Sequence, residues 1–535
     1  MKKCLLLLVV LCTQFMLLAQ EDAWVYLKDK QNVETSLANP TTILSQKAVD
    51  RKNRHHVVID ARDVPVNESY ITQLKNATGI TVMAKSKWFN AVHVRGTETD
   101  IKNLTSTFSF VDHIEFANRS LNTSKKSQEK VPSKITNTLT NFNYGNAANQ
   151  IEMIKGEQLH LANYTGTGMT VAVIDAGFTN VNNMAGFQRL RSSNNILGTY
   201  DFVGRDSDVY TNTTSNHGTL VLSTMAGYIE NQFVGTAPDA SYYLFITEDA
   251  LSENPVEESY WVEAAERADS LGVDVINSSL GYTTYDNPNY SYAPSDMNGN
   301  TAYISKGAQI AFEKGILVVN SAGNSGNDSW QIVGAPADAS GVFSIGAVQS
   351  NGQYASFSSR GNSTQSTQKP DVVAQGQGSA VITQNNVIAN ANGTSFSSPI
   401  MAGGITCLWQ ALPSLTNNEI MQLVRESASQ YNTPDYFLGY GNPNLEIALN
   451  SGLYLMDEAV ELKMYPNPAS NEVFFTLSSD SLVEVYIFDI LGKLVINTLL
   501  TNVSPSVDVS SLSNGVYLVK FQSSNKSKTI KLIKQ

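Results

Sequence analysis

From about residue 145 to residue 452 the chain repeats one pattern. A short, β-branched run is apolar throughout, then a polar turn follows, then a helical run. TVAVID (170–175), YYLFIT (242–247), VDVINSSL (273–280), ILVVNSAG (316–323) and GVFSIGAV (341–348) are such runs. A strand with one wet face alternates apolar and polar residues. These do not, so both faces must be covered, as in a parallel sheet. Runs such as EESYWVEAAERADSLG (257–272) supply the covering helices. The pattern predicts an α/β domain with a parallel sheet and helices on both faces.

The flanks read differently. With 535 residues the chain is too long for one core. Residues 1–19 read as a secretory signal peptide: Lys2 and Lys3 open it, an apolar run follows, and cleavage falls near Ala19. A membrane anchor is the competing reading. The run is short for a span, and Glu21 and Asp22 follow it. No later stretch is long and apolar enough to cross a membrane, so the mature chain is expected to be soluble.

Residues 20–125 predict a small α+β unit: a strand at HHVVID (55–60), a helix at ESYITQLKNAT, strands at GITVMAKSKW and FNAVHVRG, a helix at TETDIKNLTST and a strand at VDHIEFAN. Residues 126–144 read as a polar, protease-accessible linker, within a stretch that carries a basic cluster around Lys125 and Lys126. From 460 to 535, YPNPASNEVFFTLS, VEVYIFDILGKLV and NGVYLVKFQ alternate between turns. They predict a β-sandwich-like module. Its basic end, NKSKTIKLIKQ, reads as a solvated terminal strand.

The net charge of -12 argues against nucleic acid or an anionic membrane as the main partner. Of 3 cysteines, Cys4 and Cys12 lie in the signal, leaving Cys407. One cysteine makes no internal disulfide, and Cys407 sits in an apolar helical run as a small buried hydrophobe.

Chemistry concentrates at four places. In NGTSFSSPIMAG, Ser395 follows Gly-Thr and opens a long apolar helical run. A serine hydroxyl is a weak nucleophile until a base takes its proton, usually histidine. The α/β domain holds His160 and His217. His160, near a helix end, looks structural. His217 starts the run HGTLVLSTMAG, where the positive end of the helix dipole is expected to disfavour the imidazolium. Taken alone it could equally be a capping residue. Asp175 ends the strand TVAVID, at the sheet edge where α/β sites form, though a lone strand-end Asp also serves as a turn cap. Asn324 follows ILVVNSAG and offers an amide to a developing oxyanion, or merely a turn. The backbone N–H of Ser395 is a second donor at a helix start.

Together, DAG at Asp175, HGT at His217, SAGN at Asn324 and GTSFSSPIMAG at Ser395 resemble the subtilisin-like serine proteases, or subtilases, in order and spacing. The resemblance implies a secreted serine endopeptidase acting on protein or peptide substrates and made as a zymogen. Ser395 is then the nucleophile, His217 the general base and acid, Asp175 its orienter and Asn324 the oxyanion donor. VINSSLGY resembles the family's substrate strand, which implies that Ser279, Leu280 and Gly281 pair with the peptide as an added strand. Three departures concern pocket shape and tuning: Ala176 in place of the usual Ser or Thr, Leu220 in place of a second histidine, and Phe396-Ser397 in place of Met-Ala.

The first α+β unit resembles the inhibitory propeptide of subtilases, with a separate binding module as the alternative. The tail resembles the C-terminal sorting domain of type IX secretion, which implies the secretion machinery as a partner and an address outside the outer membrane. A carbohydrate- or cell-binding module is its alternative. The resemblance admits calcium, which many members bind, but no loop assigns its ligands. The sequence lacks HExxH, GxSxG, a P-loop lysine motif and paired CxxC. The rival functions are a catalytically silent cell-surface binding protein of the same fold, and a serine hydrolase of other specificity.

Overall fold

A computed structural model describes residues 20–122, 142–211, 214–458, 463–476, 483–500, 506–523 and 526–535. The expected signal peptide and nearly all of the expected linker lie outside the described residues. The chain divides into two compact units, the first ending at Leu453 and the second beginning at Tyr454.

In the first unit a 7-stranded sheet runs in the order Val372–Gln375, Val342–Val348, Leu317–Ser321, Val275–Ser278, Thr170–Asp175, Ser241–Ile246, Ile196–Asp201. All its neighbours pair in parallel. The five expected strands are all present. The two not singled out are edge strands. Ile196–Asp201 is only half-buried, so its sequence lacks the continuous apolar run. One face of the sheet, through Ala172, Ile174, Ile276 and Val318, packs on Trp261, Ala265 and Ala308 of the helices Val256–Leu271 and Tyr303–Glu313. The other face meets the helix Thr394–Ala411, which is apolar and buried on all sides.

The chain starts the sheet at Thr170–Asp175, builds one flank, then returns to build the other from Val275–Ser278. The carboxyl ends of these adjacent strands therefore bound the crevice at a topological switch point. Asp175 closes one of these strands, and Ser279 follows the other.

Ahead of this domain, a 4-stranded antiparallel sheet runs Ile80–Ser86, Ala91–Thr97, Gln20–Leu27, Val111–Phe116. The expected strand at HHVVID does not form. His55 closes the helix Gln46–Arg54, which Ser45 caps, and His56 has a left-handed φ of 55°. Its place is taken by QEDAWVYL, whose Ala23 and Val25 enter the core with Val92 and Val94.

This subdomain packs directly on the helix Val256–Leu271. The Trp24 indole N–H donates to the Ser259 hydroxyl at 2.8 Å. The Glu266 carboxylate accepts the backbone N–H groups of Lys87 and Trp88 at 3.0 and 2.9 Å. Lys52, with no exposed side-chain surface, lies 2.8 Å from Asp269 and 3.2 Å from Asp63, both equally buried. Arg51 joins Asp269 at 2.5 Å.

The second unit holds two antiparallel sheets. One has 3 strands (Lys463–Tyr465, Glu472–Thr476, Ser506–Asp508) and the other 4 (Leu494–Leu500, Val483–Asp489, Gly515–Ser523, Lys526–Lys534). Val473, Phe475, Val485, Val519 and Phe521 fill one core between them. Among the described residues no helix is long and apolar enough to cross a membrane.

Candidate active site

Asp175 is wholly buried at its strand end. Its Oδ1 accepts the Ala176 N–H at 2.7 Å and faces His217 Nδ1 at 2.8 Å. With a carboxylate at Nδ1, the ring proton sits there and the Nε2 lone pair is free. His217 is the first residue of the helix His217–Ala226 and keeps 34% of its side-chain surface exposed. The helix approaches the strand closely because its second residue is Gly218. A Cβ there would lie 2.7 Å from the Gly177 carbonyl oxygen and 3.0 Å from the Asp175 Cβ.

The expected effect of the helix dipole on His217 is overridden. Burial does oppose the imidazolium, but the charge and hydrogen bond of Asp175, with the charge of Glu248, outweigh it. The imidazole pKa is raised above its ordinary 6.5.

Ser395 is the second residue of the helix Thr394–Ala411 and is 8% exposed. Gly393 precedes the helix with φ 148° and ψ 150°, backbone space that favours glycine. The Ser395 hydroxyl points to the Ser279 carbonyl at 3.5 Å, and the Ser279 hydroxyl donates to the Ser395 carbonyl at 3.0 Å. The rings of His217 and Phe396 stand 6.1 Å apart, so the helix start faces the histidine. Catalytic hydrogen bonds often tighten only when substrate arrives, and a serine rotor needs one χ1 change to swing.

Asn324 is exposed on the turn after Leu317–Ser321. Its Oδ1 accepts from the Thr394 N–H at 2.8 Å and the Thr394 hydroxyl at 3.1 Å. Thr394 also accepts the Gly323 N–H at 3.1 Å. That threonine escaped the sequence reading; the Gly-Thr pair before Ser395 was its only trace. Ser279, Leu280 and Gly281 follow the strand Val275–Ser278. The Leu280 carbonyl is held by the Asn320 amide at 2.9 Å. A Cβ on Gly281 would meet only the Ala335 oxygen, at 3.8 Å, so space beside it is open.

Two further residues also escaped the sequence reading. Glu248 lies just past the strand Ser241–Ile246, and the Thr247 N–H donates to the Asp175 carbonyl at 3.2 Å. The Tyr282 hydroxyl donates to Glu248 Oε1, as does the Thr247 hydroxyl at 3.1 Å. Burial pushes the Glu248 carboxyl up to about 8, with the charges of Glu253 and Asp175 adding and the Tyr282 and Thr247 hydrogen bonds opposing. Glu248 belongs to no short motif, and Tyr282 closes VINSSLGY, where the sequence assigned it no role.

His160 and Cys407 keep their structural roles. His160 is held between the Tyr144 hydroxyl and the Thr236 carbonyl, each at 2.9 Å, and burial pushes its pKa down to about 4. The Cys407 thiol is buried against the Thr236 carbonyl at 3.2 Å. Among the described residues no three of His, Cys, Asp or Glu gather as a metal site.

The crevice, with a carboxylate, an imidazole and a serine carried by three elements, has a counterpart in known proteins. The family model "Subtilase family" matches residues 166–441. The chain belongs to the subtilases. It is 31% identical to subtilisin E of Bacillus subtilis over 301 residues, covering 56% of this chain and 70% of that protein. Subtilisin of Bacillus pumilus is also 31% identical over 301 residues, 97% of its length. The thermostable alkaline protease of Halalkalibacterium halodurans is 29% identical over 297 residues, 70% of its length. Residues 22–133 match a peptidase S8 propeptide domain of Bacteroidota, and residues 463–535 match a secretion system C-terminal sorting domain. This subtilase is a serine endopeptidase made as a zymogen, and its sorting domain marks it for type IX export to the cell surface or the medium.

Proposed function

We propose that this subtilase hydrolyses peptide bonds through Ser395, His217 and Asp175. A peptide lies as an added strand along Ser279–Gly281, its scissile carbonyl over the helix start. His217 Nε2 takes the Ser395 proton as Oγ bonds to the carbonyl carbon. The oxyanion that forms is met by the Ser395 N–H, free in the first helical turn, and by the Asn324 amide. The imidazolium then gives its proton to the leaving amine, and water repeats the sequence in reverse on the acyl-enzyme. Asp175 holds the tautomer and stabilises the imidazolium. The observation that carries this reading is the 2.8 Å contact between His217 Nδ1 and a wholly buried Asp175, on the edge of the crevice that holds Ser395. Every group in this scheme belongs to the chain. Calcium, admitted by the family resemblance, finds no ligand set among the described acidic side chains.

The reading extends to processing. The residue ranges 20–125, 126–144, 145–452 and 460–535 act as propeptide, linker, catalytic domain and sorting module. The precursor cuts itself between about Ser124 and Asn143. The test is the intact mass of the signal-less chain beside its Ser395→Ala form, purified alike. Splitting of the wild type alone supports the reading. Equal splitting of both assigns the cut to a host protease and overturns self-processing. If neither splits, the linker is opened with an added protease, and a chain still inert on casein is a silent binding protein.

A further inference from the structure

The crevice holds a carboxyl that the hydrolytic scheme does not use. Glu248 follows the strand end that pairs with Asp175, next to Thr247, whose N–H donates to the Asp175 carbonyl at 3.2 Å, and its charge contributes to the raised pKa of His217. The tyrosine that holds its Oε1, Tyr282, directly follows the Ser279–Gly281 stretch along which the peptide is proposed to lie. Glu248 is thus tied by Tyr282 to the end of that stretch. Its other oxygen, Oε2, has no hydrogen-bond partner among the described residues.

The surroundings lack a countercharge. Asp249, Glu253 and Asp286 on loops, and Glu257 in the first turn of the helix Val256–Leu271, lie around Glu248, and among the described residues no lysine or arginine forms an ion pair with any of the five. Beside them the second oxygen of Asp175, wholly buried, has no hydrogen-bond partner. Burial first, and neighbouring carboxylates after it, raise Glu253 to about 7 and Glu257 to about 9. An arriving cation favours the ionised form of Glu248 against burial and donates a charge-assisted hydrogen bond to it.

An extended peptide turns successive side chains to opposite faces. When the residue before the cut points into the pocket walled by Ser279–Gly281, the one preceding it points across to His217 and Glu248. We infer that Glu248 selects substrates with lysine or arginine as the second residue before the scissile bond. This rests on the peptide placement proposed above. The chain offers such a substrate itself: Lys125, Lys126, Lys130 and Lys134 lie in or beside the linker expected to be cut.

The test uses matched fluorogenic peptides that differ only in the second residue before the cut: lysine, its uncharged near-isostere norleucine, or glutamate. The quantity read is the ratio of kcat/KM values within each form of the processed enzyme, so changes common to all peptides cancel. The wild type is expected to favour lysine over norleucine about tenfold and to disfavour glutamate, the scale of one charge-assisted contact. Glu248→Gln keeps an acceptor for Tyr282 and is expected to bring the lysine ratio to within about twofold of unity. Raising salt on the wild type alone is expected to shrink the same ratio, a check that needs no variant. A wild type that cuts all peptides equally, or a lysine ratio unchanged in Glu248→Gln, overturns the inference while leaving the protease reading intact. A wild type that cuts no peptide overturns both.

Discussion

Asn324 Oδ1 is pinned to residue 394, accepting its backbone N–H at 2.8 Å and its hydroxyl at 3.1 Å. The amide orientation is thereby set before substrate arrives. Nδ2 faces the turn at Gly393, 3.6 Å from where a Cβ on that glycine would stand. A donor held in advance costs no reorganisation when charge develops.

Replacing Asn324 with alanine is therefore expected to lower kcat by about 10²–10³, the loss seen on removing the equivalent donor of subtilisin itself, with KM little changed. Steady-state kinetics on a peptide anilide measures both. An unchanged kcat would remove Asn324 from the scheme.

Asp175→Asn is expected to cost about 10⁴ in kcat, the scale of the same change in the chymotrypsin-type triad. The pH profile provides an independent check. The base works unprotonated, so activity falls as pH drops through the His217 pKa. Asp175 is the main group raising that pKa against burial, so the variant's acid limb is expected to move to lower pH. A limb that stays in place would show that another group sets it.

Gly218→Ala is expected to open the contact between His217 and Asp175, since its Cβ would lie 2.7 Å from a backbone oxygen and 3.0 Å from the Asp175 Cβ. A displacement near 1 Å at a catalytic group costs up to about 10²-fold in rate. Far-ultraviolet circular dichroism alongside kinetics separates this local effect from unfolding.

The propeptide contact is expected to depend on buried charge. In the uncut Ser395→Ala precursor, Lys52→Ala leaves Asp269 and Asp63 short of a partner. The expected cost is about 3–5 kcal/mol, read from the urea midpoint. Burial disfavours the Asp269 carboxylate, but Lys52 and Arg51 win and hold its pKa down to about 2, from an ordinary 3.8. A depressed carboxyl contributes stability above its unfolded pKa and loses it as pH falls toward the folded value. Dissociation of propeptide from processed enzyme on this account sets in between about pH 4 and pH 2, and analytical size exclusion across that range checks it.

The parallel sheet was legible because burial on both faces leaves continuous apolar runs. Ile196–Asp201, half-exposed at the edge, carried no such run. In the first subdomain, the residues Glu21 and Asp22 looked like the flank of a signal sequence rather than part of a strand. Asp22 is in fact buried there against His93 at 2.9 Å and Arg95 at 3.0 Å. The apolar run after His56 was a decoy. Asp175, His217, Asn324 and Ser395 were legible as motifs. Thr394, Gly218 and Glu248 matter through contacts with residues distant in sequence, which no local pattern records. The direction of the His217 pKa shift was misjudged because the dipole is local and the carboxylates that outweigh it are not.

The most direct test of the central claim is covalent. Processed enzyme is treated with diisopropyl fluorophosphate, and its intact and peptide masses are measured. One adduct is expected, on the peptide containing Ser395, absent from Ser395→Ala and strongly slowed in His217→Ala. An enzyme that cuts casein yet carries no adduct at Ser395, or carries it on another serine, would contradict the assignment of the nucleophile.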